Sequence, residues 1–273
     1  MFGFLFWLFF IGIVVASLQD LKRREVDNWL NLFLLVSSFV FIFYKAIFDG
    51  NVEIIFQLGF ALVAMFALMN MFYYGRVFAG GDAKLLVAMT AFFIGANFNI
   101  TLINIGIFLL LLMFSGSIYG IFYSFVLYIK DYEKINEEAR KGFDALWIRY
   151  VVVAGIVMFA LSYIDWFFLL PSVLMLLFPV LYVFAKALEN VSMVKNISGK
   201  DLREGDWLVN DVKVKGKTIK ADWDGLSLEN IKLLKKKKSV EIKEGLPFVP
   251  AFLIAFFLYA FLKEWLVGFF VGM

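Results

Sequence analysis

Long apolar runs alternate with short charged connectors along this chain. Apolar stretches occupy 2–18, 29–48, 54–74, 85–98, 101–129, 147–164, 167–186 and 247–270. Crossing a bilayer takes about 20 mostly apolar residues in helical form, so the pattern predicts eight membrane-spanning helices, with seven as the alternative count. The apolar run 147–186 is too long for one helix, and Asp165 with Pro171 divides it in two. The fourth stretch is short and is expected to borrow Gly80-Gly81-Asp82 before it. Between 187 and 246 the pattern changes. Short alternating runs at Trp207–Val209, Val212–Lys215 and Thr218–Ala221, separated by Asn210-Asp211 and Gly216-Lys217, predict small strands and turns. Leu228–Leu234 predicts a brief amphipathic helix. The expected fold class is therefore an all-α membrane bundle of about eight helices with a small cytoplasmic, mainly-β or α+β module. Residues 1–186 form the helical core, 187–246 the module and 247–273 the final helix. A module of about 60 residues is marginal for independent folding, so it is expected to lean on the bundle.

Composition narrows the chemistry. Of 273 residues, 63% are hydrophobic, against about 45–50% in soluble domains. There is no Cys and no His, which excludes thiolate catalysis, disulfides, Cys/His zinc sites and Ser-His-Asp triads. Any chemistry falls to Asp, Glu, Lys, Arg, Ser, Thr or Tyr. The charged residues, 18% of the chain, are bunched. With the N-terminus outside, 24 of the 26 basic residues, including Lys22-Arg23-Arg24, Arg76, Lys84 and those between Lys130 and Arg149, face the cytoplasm; only Lys45 and Lys263 do not. This bias predicts that both termini lie outside. The first run carries no basic residue ahead of it, unlike a signal peptide, and reads as a retained span. The 35 Phe residues read as packing and lipid-facing groups. Lys235–Lys238 reads as a solvated charge run or a contact for anionic headgroups.

Two acids stand apart from the loop acids. Asp20 follows the first apolar run within a helical turn, and Asp82 sits where the third inner connector enters the fourth span. Charge counting places both at the cytoplasmic membrane face, where ionisable groups are costly. Two carboxylates a few ångströms apart share a proton. The ionised one can take a proton from water while the protonated one polarises a peptide carbonyl, which is amide hydrolysis without a covalent intermediate. Gly80-Gly81 ahead of Asp82 permits positive φ or the close approach of another backbone. The plain structural readings stay open: Asp82 caps the fourth helix, and Asp20 is a polar end to the first span. Lys84 either steadies the pair or meets headgroups; Asn28 either bonds near Asp20 or caps the second helix. Asp165 reads as a solvated loop acid.

Ser17-Leu18-Gln19-Asp20-Leu21-Lys22-Arg23-Arg24-Glu25-Val26-Asp27-Asn28 resembles the first motif of the type IV prepilin peptidases, with Asp27 in the position where proline is usual. Gly80-Gly81-Asp82-Ala83-Lys84-Leu85 resembles the family's GxGD motif, with Ala79 where its first glycine stands. Asp201–Trp207 and Gly245–Phe252 are similar to the archaeal prepilin and preflagellin branch. The resemblance implies an aspartic membrane endopeptidase that removes short N-terminal signal peptides from type IV pilin-like or flagellin (archaellin) precursors. It implies Asp20 and Asp82 as the catalytic pair, supported by Gly80, Gly81, Lys84 and Asn28, with no metal or cofactor. Partners are the precursor proteins and membrane lipid, with no nucleic acid. The absence of Cys leaves no sign of the N-methylation region common in bacterial members. The alternatives are an ion-coupled transporter using paired acids and a non-catalytic membrane scaffold.

Overall fold

A computed structural model describes residues 3–75, 77–214, 216–222 and 225–272. Met1, Phe2, Arg76, Lys215 and Met273, which figure in the sequence reading, lie outside the described residues. The chain forms two compact units, Met1–Ile121 with Leu246–Met273, and Phe122–Gly245.

The first unit is helical. It contains α1 (Phe4–Arg23), α2 (Asn28–Phe48), α3 (Glu53–Tyr74), the short α4 (Gly80–Ala88), the start of α5 (Phe98–Lys130) and α10 (Val249–Val271). Together with α8 below, α1, α2, α3, α5 and α10 make six helices among the described residues that are long and apolar enough to cross a membrane. They follow the apolar runs because those runs carry few charges, such as Lys45 in α2 and Lys263 with Glu264 in α10. The fold is thus a polytopic helical bundle with a small sheet-bearing module, as the pattern predicts.

The fourth apolar stretch departs from a simple span. It does borrow Gly80–Asp82, but α4 stops after nine residues and a 3-10 turn, Thr90–Phe93, follows. Backbone that leaves a helix inside an apolar bundle needs other partners. They come from polar side chains of neighbouring helices. Asn104 Nδ2 donates to Phe93 O at 3.0 Å, Gly95 N donates to Thr101 Oγ1 at 3.0 Å, and Gln57 Nε2 donates to Ala96 O at 3.3 Å. Gln57, Thr101 and Asn104 are all buried. The core around them is aromatic and aliphatic, with Phe9, Phe93, Phe108, Phe252, Phe256 and Tyr259 fully enclosed.

The second unit begins within α5 and holds α6 (Tyr132–Phe143), α7 (Leu146–Leu161) and α8 (Leu169–Ser192). α6 and α7 meet at a 77° bend, and counted as one broken span they raise the number of crossings to seven. α6 is charged yet helical because Ile135 and Ala139, one turn apart, bury against Val183, Ala187 and Leu188 of α8. Asp165 Oδ1 accepts from Phe167 N at 2.9 Å, capping the turn that divides the run 147–186.

The module starts directly after α8. β1 (Val194–Ile197), β5 (Val240–Lys243) and β2 (Trp207–Leu208) form an antiparallel sheet in the order β1-β5-β2, and β3 (Val212–Val214) pairs with β4 (Lys217–Ile219) as a hairpin. α9 spans Leu228–Leu234, as the periodicity predicts. Leu202, Leu208, Ile219, Leu226, Leu234, Val240 and Ile242 make its small core. Gly225, at φ +74°, passes against the Gly205 backbone where a side chain has no room.

Candidate active site

Asp20 lies in the last turn of α1. That helix ends by a left-handed residue, Arg24 at φ 57°, whose N–H donates to the Asp20 carbonyl at 2.8 Å. The chain then turns into α2 through a short connector fixed by Asp27. The Asp27 carboxylate accepts from Arg23 Nη2 at 2.7 Å, Gln19 Nε2 at 3.0 Å and Trp29 Nε1 at 3.1 Å, while its own N–H donates to Gln19 Oε1 at 3.0 Å. Asp27 has φ −63°, a value proline would also hold. The aspartate therefore keeps the backbone shape proline imposes and adds four hydrogen bonds that proline lacks.

α4 enters beside this connector. Its N-cap is Ala79, so Gly80, Gly81 and Asp82 are its first three residues. Asp82 is not the cap; it sits one turn in and takes a bond from the Ala79 backbone, the return half of a capping box. Gly80 and Gly81 both have ordinary helical φ, so of glycine's two allowances only close approach is used. A Cβ on Gly81 would lie 3.2 Å from Val26 N in the connector, whereas one on Gly80 would meet only the Tyr73 ring at 3.7 Å.

Two tethers join α2 to α4. Lys84 Nζ donates to Asn28 Oδ1 at 2.7 Å, and Asn31 Nδ2 donates to Gly81 O at 3.4 Å. Asn28 is the first residue of α2, and the capping position belongs to Asp27. Lys84 thus meets Asn28 directly. Asn31, buried with its Oδ1 unbonded within the protein, went unnoticed in the sequence. Its signal was a lone amide inside an apolar run.

Asp20 and Asp82 lie within electrostatic reach of each other. Both are buried, at 5% and 7% exposure, and Asp82 lies near enough that the Asp20 charge acts on it. Asp20 Oδ2 accepts from the backbone N–H of Val249 at 2.9 Å, across 229 positions of sequence, and the Phe248 backbone adds a second bond. Ser17 Oγ, one turn before Asp20, is buried with no partner in the protein. Phe78 closes the apolar side, its ring 5.4 Å from Phe248 and 5.8 Å from Phe252. The arrangement puts two carboxylates, a buried hydroxyl and a free amide oxygen at the meeting point of α1, α2, α4 and α10. Two adjacent carboxylates can hold one proton between them and activate water.

Comparison with known proteins agrees with the motifs. Residues 7–128 match the family model described as the type IV leader peptidase family. An 81-residue stretch is 30% identical to the preflagellin peptidase of Methanococcus maripaludis (strain C6 / ATCC BAA-1332), covering 30% of this chain. The aligned stretch spans 35% of that relative's length, about a third. No solved structure matches the chain. The family resemblance carried by the two aspartate segments is borne out as a similarity: residues 7–128, which hold Asp20, Gly80, Gly81 and Asp82, match the type IV leader peptidase family.

Proposed function

We propose that the protein is a membrane aspartic endopeptidase that removes short N-terminal signal peptides from type IV pilin-like or flagellin precursors. The observation that carries this reading is the burial of Asp20 and Asp82, carboxylates from two helices within electrostatic reach of each other in a chain without Cys or His. One carboxylate takes a proton from water as its oxygen attacks the scissile carbonyl carbon, and the other gives a proton to the carbonyl oxygen. Collapse of the tetrahedral adduct breaks the C–N bond as the amine nitrogen is protonated. The basic-residue bias supports a site at the cytoplasmic face with both termini outside. Precursors with a basic leader and an apolar helix suit this placement: the helix lies in the bilayer while the leader stays in the polar phase. Gly81 lets the connector pass close to the start of α4 beside Asp82, and Lys84, Asn28 and Asn31 hold it in register.

The test is cleavage of pilin-like and archaellin-like precursors by purified protein in detergent, read as a shortened product. Wild type cleaves, and Asp20→Asn and Asp82→Asn each do not. Cleavage surviving both substitutions removes the two-aspartate mechanism. A wild type inert across a panel of precursors returns the reading to an ion-coupled transporter or a scaffold.

A further inference from the structure

Asp20 stands at the wrong end of its own helix. It occupies the last turn of α1, where the carbonyl ends of the backbone dipoles disfavour a negative charge, whereas Asp82 stands in the first turn of α4, where they favour one. What faces Asp20 is the first turn of α10. The donors of that turn can be accounted for one by one. Pro250 has no N–H, and the Ala251 N–H is already given to the Phe248 carbonyl at 2.9 Å. That leaves the N–H groups of Phe248 and Val249, and both go to the Asp20 carboxylate. Proline is tolerated in the first turn of a helix because its missing N–H would be unsatisfied anyway; here it also leaves Asp20 with two donors and no competitor.

The turn itself is firmly seated. Val249 is fully buried, and the Phe248 ring packs on Phe78, on Phe252 and against Gly116, where a Cβ would come within 2.6 Å of the ring. Phe78 immediately precedes the cap of α4, so the same rings that hold the start of α10 also hold the approach to Asp82.

We propose that the first turn of α10, through the backbone N–H groups of Val249 and Phe248, is a positioning element for Asp20 in peptide cleavage. This rests on the peptidase reading above. The hydrolytic site is then built from three distant segments, and the third, 248–250, lies outside the stretch 7–128 that carries the family match. A backbone N–H acting on one carboxylate touches no substrate, so its loss lowers turnover and leaves substrate affinity alone.

The sharpest perturbation replaces Val249 by its α-hydroxy analogue through nonsense suppression. The amide becomes an ester, which deletes the N–H and keeps the side chain. Wild type, Asp20→Asn and the ester protein are compared on one precursor, with folding followed by thermal melting. The ester protein loses about tenfold or more in kcat, the scale of a hydrogen bond to a charged group, with KM essentially unmoved. An ester protein with wild-type kcat overturns the proposal, as does a loss confined to KM. An inert wild type, or an active Asp20→Asn, instead defeats the peptidase reading itself. Should the ester protein fail to fold, Gly116→Val serves, because it drives the Phe248 ring from its seat without touching Asp20; unchanged kcat there is equally fatal.

Discussion

Gly80 and Gly81 look interchangeable in sequence, but their surroundings predict opposite sensitivities. A methyl on Gly81 would sit 3.2 Å from Val26 N and 3.5 Å from Val26 Cβ, so something must yield by a few tenths of an ångström. Val26 is buried, and the residue after it is held by four hydrogen bonds, so the connector cannot retreat. The start of α4 moves instead, and Asp82, the next residue, moves with it. Misplacing a reacting group by 1 Å costs about 100-fold, so a shift of ~0.3 Å costs about fourfold in kcat/KM. The substitution also gains up to about 1 kcal/mol of helix propensity, which offsets the crowding, so the melting temperature barely changes. Gly80→Ala has the same propensity gain and meets only an ordinary contact with Tyr73. It therefore melts higher and cleaves as wild type does. Gly81→Val, with two more carbons against a backbone, loses both activity and stability. The assay is precursor cleavage by the three variants, with thermal melting of each in detergent. Wild-type activity in Gly81→Ala, or a Gly80→Ala more damaging than Gly81→Ala, refutes the close-approach argument.

Asn31→Leu removes the tether to the Gly81 carbonyl and also a buried oxygen without a partner. Stability stays within about 1 kcal/mol, because an apolar replacement leaves fewer polar atoms unmet, while kcat falls; melting and cleavage falling in parallel would contradict this. Gly199→Val has no room against the Leu234 backbone and the Lys237 carbonyl. It opens the module by more than about 3 kcal/mol, seen as proteolysis between 194 and 243 while the helical segments stay protected. Because the chain has no Cys, single cysteines report topology without background. In sealed vesicles of defined orientation, Asp49→Cys is labelled from the outer side and Lys236→Cys from the cytoplasmic side; the reverse pattern inverts the proposed orientation.

The sequence reading succeeds where the physics is local. Apolar runs mark α1, α2, α3, α5, α8 and α10, Asp165 marks a division, and Leu228–Leu234 emerges as α9. It fails where partners are distant. β5 is the central strand of its sheet, yet it pairs with β1 from far upstream; β5 alternates over only four residues, and β1 does not alternate. α6 reads as a charged connector because only Ile135 and Ala139 are enclosed. The fourth span is not continuous, because Gln57, Thr101 and Asn104 satisfy its broken backbone from α3 and α5. In the candidate site, the side chains were legible and their holders were not. Asp20 and Asp82 stand out as acids beside apolar runs. The N–H of Val249 has no letter of its own, and Asp27 replacing proline looks like a defect until its four bonds are seen.

The short length of α4 reaches beyond packing. At about 1.5 Å per residue its nine residues measure only about 14 Å, and both ends are clamped by other helices. Near the carboxylates it is held by Asn28 and Asn31; beyond its far end, by Asn104, Thr101 and Gln57. A rod so short and so clamped transmits displacement instead of absorbing it. The height of Asp82 is therefore calibrated from both ends, and a random screen for inactive variants should return amides remote from the carboxylates. These would be lesions of alignment, in proteins that fold, insert and keep both aspartates.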